Sequence, residues 1–145
     1  MGGFFKKIFL LVRAVEALEE ELLSDIMTII QAHTSSEHTE TGFSFLQDIF
    51  TVLEKNKDIC SALLSPNGDI SFVHQIEQLI SNQYSSVFHS NIDQKSIHLE
   101  YFHSFCLSGC IGLIKQWLSN DTKESPEYMA KLTFHFIENT MKEFE

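Results

Sequence analysis

The sequence predicts an all-α protein, an irregular bundle of about five or six helices in a single domain over residues 1–145. Three observations carry that prediction. Apolar residues recur every three or four positions in one segment after another. No segment alternates convincingly with period two. Glycine (6) and proline (2) are too scarce for the many tight turns of an all-β fold. At 145 residues, 43% hydrophobic and 21% charged, the chain has the composition of one globular domain with its own core. The 13 phenylalanines point to a large aromatic interior with room for an apolar cavity.

The first helix is expected over 4–32, where Ile8, Leu11, Val15, Leu18, Leu22, Ile26 and Ile29 form one stripe. Residues 33–42 are rich in Ser and Thr and read as a loop. A second helix, 43–55, turns Phe43, Leu46, Ile49, Phe50 and Leu53 inward, and a short helical piece follows at 59–64. Ser65-Pro66-Asn67-Gly68-Asp69 then breaks the chain, with Asp69 placed to cap a helix over 70–88. The stripe of that helix is Phe72, Val73, Ile76, Leu79, Ile80, Val87 and Phe88. After a polar break at 90–94, a helix over 96–118 is apolar around nearly its whole circumference, so it must be buried on several sides. Ser125-Pro126-Glu127 starts the last helix with a cap, a first-turn proline and a first-turn acid. Met129, Leu132, Phe136, Ile137, Met141 and Phe144 are its stripe.

Charge narrows the function. The net charge is −10, yet residues 1–14 carry Lys6, Lys7 and Arg13 with no acid. The acidic body would repel phosphate backbones, so this chain alone should not bind DNA or RNA well. Cys60, Cys106 and Cys110 are an odd number without a disulfide framework, so a reducing compartment, the cytoplasm, is expected. No run approaches the ~18 apolar residues of a membrane span. The apolar run after Lys6-Lys7 is too short for a secretory leader, and Lys6 stands where a myristoylation signal needs Ser or Thr. Lys6, Lys7 and Arg13 among Phe4, Phe5, Ile8 and Phe9 have the composition of a membrane-surface helix. The reading favoured here is instead a connecting helix with an uncovered apolar end, and no membrane partner is expected.

Catalytic patterns are missing. The sequence contains no GxSxG, HExxH, Walker or GxGxxG motif, so no enzyme, no catalytic residue and no cofactor are expected. His103, Cys106 and Cys110 fall on one helix face at i, i+3 and i+7, a spacing that admits a soft metal or a redox sensor. No fourth ligand is evident, and small thiols in a packed helix are ordinary core residues; no metal is expected. Acids at 16–21 read as a solvated helix face.

The order of motifs in the C-terminal half carries a resemblance. Phe105, Ser108-Gly109, Ile111-Gly112-Leu113-Ile114, Trp117-Leu118, and then Ser125-Pro126-Glu127 with Ala130 and Leu132 resemble the last two helices of tetracycline-repressor-type (TetR-family) transcriptional regulators. Residues 50–57 (Phe50-Thr51-Val52-Leu53-Glu54-Lys55-Asn56-Lys57), Ala62-Leu63-Leu64 and Gly68-Asp69 are similar to the middle helices of one branch of their ligand-binding domains. The resemblance covers roughly 43–137. It implies a homodimer closed by the last two helices of each copy, through Gly109, Gly112, Leu113, Trp117, Met129, Leu132, Phe136 and Ile137. It also implies a pocket for a small apolar or aromatic effector between the middle helices. Phe50, Phe72, His74, Phe102, His103 and Cys106 are the residues expected to line it, the imidazoles as polar anchors; Phe45 and Phe105 belong to the same aromatic set.

The family's DNA reader, a helix-turn-helix, has no counterpart before Phe43. Residues 1–33 therefore read as a connecting helix and 43–145 as the effector-binding and dimerisation region, and DNA would be reached only through a missing N-terminal helix-turn-helix. Two other readings stay open: a standalone helical interaction protein, and a thiol or metal sensor at His103, Cys106 and Cys110.

Overall fold

The computed structural model describes residues 2–34, 41–66, 68, 70–87 and 97–142. These form six helices, and no strand occurs among the described residues. In chain order they are α1 (Gly2–Thr34), α2 (Thr41–Lys55), α3 (Lys57–Leu63), α4 (Ile70–Val87), α5 (Ile97–Ser119) and α6 (Pro126–Lys142).

Local chemistry explains the boundaries. Asn56 ends α2 by donating its side-chain amide to the Val52 carbonyl at 2.8 Å. Gly68 follows α3 in the turn closed by its N–H on the Ser65 carbonyl at 2.8 Å. A Cβ at Gly68 would run into the Leu63 carbonyl, so only glycine fits there. At the start of α6 the Ser125 hydroxyl accepts the Tyr128 N–H at 3.1 Å, the expected cap, and Pro126 takes the first helical position. Asp69 and the 90–94 break lie outside the described residues, as do Phe88 and Phe144 and the side chains of Ile80, Val87 and Met141.

The turn from α5 to α6 is built without glycine. The Thr122 N–H reaches the Trp117 carbonyl at 2.9 Å and the Asp121 N–H reaches Leu118 at 3.0 Å. That pair of bonds is a Schellman closure, which needs a left-handed residue after the helix. Asp121 (φ 57°) and Thr122 (φ 49°) both adopt it, costing a β-branched residue some strain. The Trp117 indole N–H donates to the Glu124 carbonyl at 2.9 Å and locks the same turn from inside.

One continuous core joins the helices. It comprises Leu22, Ile26 and Ile30 of α1, the apolar face of α2, and Cys60 and Leu63 of α3. Phe72 and Ile76 of α4, Phe102, Cys106, Ile114, Trp117 and Leu118 of α5, and Met129, Ala130 and Ile137 of α6 complete it. Phe50 meets the Trp117 ring edge-on, with centroids 5.2 Å apart, at its centre. α6 lies mainly along α2, and α1 packs on α2 and α4. His33 fastens the end of α1 to α2, its Nε2 2.8 Å from an Asp48 carboxylate oxygen.

The stripe expected along the whole first helix is only half buried. Leu22 and Ile26 enter the core, but Ile8, Leu11, Val15 and Leu18 are exposed. The physical reason is length. α1 has 33 residues, about 50 Å at 1.5 Å per residue, and it outruns the bundle. Periodicity records which face is apolar, not where its neighbours stop.

Candidate functional site

Two apolar features stand out. The first is a groove of about 490 Å³ between α5 and α6. α5 contributes Phe105, Cys106, Gly109, Cys110 and Leu113; α6 contributes Thr133, Phe136, Ile137, Asn139 and Thr140. The groove is open to solvent, with Phe105 67% and Phe136 48% exposed on its rims. Tyr101 on α5 and Tyr128 on α6 are also exposed. Thr133 is fully buried, and its hydroxyl donates back to the Met129 carbonyl at 2.7 Å, so the floor presents carbon rather than an open polar group. Built Cβ atoms at Gly109 and Gly112 would meet nothing within 4 Å. Each glycine costs a helix interior about 1 kcal/mol against alanine, and no neighbour among the described residues requires that cost.

The second feature is a cavity of about 30 Å³ among α1, α2, α4, α5 and the end of α3. Ile26, Ile49, Leu53, Leu64, Val73, Ile76, Ile111 and Ile114 line it. All are aliphatic, so the cavity offers a water no hydrogen bond and is dry.

The thiols are placed for packing. Burial pushes Cys60 up to about 12. Cys110 is also pushed up to about 12, first by burial and second by neighbouring Cys106. Burial lowers His103. Both cysteines are therefore protonated thiols at neutral pH, the form that neither attacks nor ligates readily. No group of three or more His, Cys, Asp or Glu side chains that could hold a metal occurs among the described residues.

Comparison with known proteins bears on this arrangement. The profile of a TetR-type family, described as the transcriptional regulator C-terminal region, matches residues 40–139. The chain belongs to that family. No curated protein and no solved structure matches it.

For a TetR-type C-terminal region, the residues expected at its two surfaces divide unevenly. Of the candidate dimer residues, Gly109, Leu113, Phe136 and Ile137 line the groove. Gly112 is exposed on α5 and lines a separate pocket with Ser61, Leu64 and Pro66, and Leu132 is half-buried. Trp117 and Met129 are buried within the single chain, Trp117 against Phe50. Of the candidate effector residues, Phe50, Phe72 and Phe102 are packed in the core. Cys106 borders the α5–α6 groove, and none of the six lines the aliphatic cavity. His74 is exposed, contacting Gln78 and Glu77 on its own helix. His103 is half-buried beside Phe102, with ring centroids 6.0 Å apart.

Sequence reasoning missed the aliphatic lining of the cavity and the groove positions Cys110, Thr133, Asn139 and Thr140. The cavity residues carry no chemical signal, being ordinary stripe positions on four helices. The groove did leave one: Phe105, Cys106, Gly109, Cys110 and Leu113, at i, i+1, i+4, i+5 and i+8, fall on one side of α5. α1 is a single unbroken helix from Gly2 to Thr34.

Proposed function

We propose that this chain is the effector-binding and dimerisation part of a TetR-type transcriptional regulator, and that two copies close against each other through α5 and α6. The observation that carries this is the solvent-open apolar groove between α5 and α6, with Phe105 and Phe136 exposed on its rims beside Gly109. A second copy would drive aromatic rims into the facing groove. The missing side chains at Gly109 and Gly112 would let helix backbones approach, since a Cβ at either meets nothing within 4 Å among the described residues.

The dry cavity supports a site for a small apolar effector. At about 30 Å³ it is a starting void rather than a finished pocket. An effector entering it would separate α1, α4 and α5 and favour the arrangement in which they stand apart, a shift of population between two packings. DNA would be contacted by a helix-turn-helix attached to this region, with the effector changing the separation of the two readers.

Sedimentation equilibrium tests the proposal. The expected species has twice the chain mass of 16.7 kDa. Phe136→Glu should shift it toward the single-chain mass, weakening association by about 30-fold or more. A wild-type protein that stays at the single-chain mass up to high micromolar concentration refutes the dimer.

A further inference from the structure

Cys106 and Cys110 sit four residues apart on α5, and both line the α5–α6 groove. Cys106 is buried and Cys110 half-buried. The two lie close enough that Cys106 helps to hold the Cys110 thiol protonated. Four-residue spacing on a helix separates Cβ atoms by about 5–6 Å. A disulfide needs about 3.5–4.5 Å, so the pair is spaced too widely to close on itself. One atom placed between the two sulfurs spans the difference. His103, the third member of the sequence spacing, does not line the groove. No group of three or more His, Cys, Asp or Glu side chains that could hold a metal occurs among the described residues. The bridging atom must therefore need only two protein sulfurs, and it must bring no net charge into an apolar groove.

We propose that Cys106 and Cys110 together chelate a neutral trivalent arsenical, R–As(OH)2, whose group R is apolar. Two S–H and two As–O bonds break, two As–S bonds form, and each proton leaves on a departing hydroxyl as water. Arsenic stays trivalent, so the exchange needs no oxidant or reductant. A protonated thiol ligates a cation poorly, but here the proton passes directly to the leaving group. The groove also seats R: Phe105 and Phe136 stand exposed on its rims, and Leu113 and Ile137 line it. The site needs one chain only and would compete with a second copy for the groove. It is therefore read on dilute protein, and its failure leaves the dimer standing.

Titration of the dilute full chain with phenylarsine oxide in excess mercaptoethanol, followed by intact mass, tests the site. The expected product carries a single phenylarsenic group, which survives the monothiol and is removed by the dithiol dimercaptopropanol. Cys106→Ala and Cys110→Ala should each weaken binding by about 100-fold or more, because the second bond is no longer intramolecular. Cys60→Ala should bind as the wild type does, since Cys60 is on α3 and outside the groove. If loss of the buried Cys106 side chain unfolds the chain, the half-buried Cys110 variant carries the test. Arsenous acid, which brings no ring to bury, should bind at least about tenfold more weakly. The proposal is overturned if no adduct resists the monothiol, if Cys110→Ala leaves the affinity unchanged, if Cys60→Ala abolishes binding, or if arsenous acid binds equally well.

Discussion

The first half of α1, an arm beyond the core, and the groove between α5 and α6 both expose large apolar side chains, but they do so differently. The arm is convex, backed by cations and separated from the core along the helix axis. The groove is concave, floored by Thr133 and Ile137 and continuous with the packed interior. Exposed apolar area alone therefore says little about a partner. Curvature, neighbouring charge and connection to the core distinguish the two surfaces.

The largest test of that contrast acts where the groove meets the core. Trp117→Ala should lower stability by about 3–5 kcal/mol, as expected for a large buried aromatic, in urea unfolding. It should also weaken self-association, because the indole ties α5 to the turn leading into α6. Loss of stability without loss of association would separate the groove from the core.

A pH series probes the same continuity. Below pH 9 the thiols of Cys60 and Cys110 are protonated in both folded and unfolded chains. Above it the unfolded chain releases protons that the folded chain holds until about pH 12. Stability should therefore fall as pH rises beyond 9. Cys60→Ala should flatten that decline in urea midpoints. His103, lowered by burial, acts in the opposite range, its contribution being lost as pH falls through its ordinary value of 6.5.

Smaller effects sharpen the comparison further. Gly109→Ala should stabilise the isolated chain by about 0.5–1 kcal/mol, since the added methyl meets nothing. The same change should weaken the dimer, so unfolding at low concentration and sedimentation at high concentration should move in opposite directions. Phe9→Ala should change urea stability by no more than about 0.5 kcal/mol, because its ring lies outside the core.

Helix positions were largely legible because capping chemistry is local. Ser125-Pro126-Glu127 marked the start of α6 by residues that touch one another. The depth to which each stripe is buried was not legible, since it depends on partners distant in sequence. Ile8 and Ile26 occupy equivalent positions in one pattern, yet only Ile26 has α2 and α4 beside it. Trp117 looked like an interface residue, as apolar positions on an all-round apolar helix do. Its fate was decided by Phe50, sixty-seven positions earlier, and by a carbonyl in the next turn. Phe50, Phe72 and Phe102, which the resemblance implies at an effector pocket, are packed in the core. The cavity instead fell where branched aliphatic side chains from four helices meet imperfectly.

The unusual length of α1 has a mechanical consequence. Ile26 borders the dry cavity, while Gly2 lies 24 residues away, about 36 Å along the axis. A tilt of about 5° at Ile26 would swing that far end by roughly 3 Å, given this rigid rise per residue. A helix gripped at one end works as a lever, amplifying sub-ångström adjustments inside the bundle into displacements comparable to an atom's diameter at its tip.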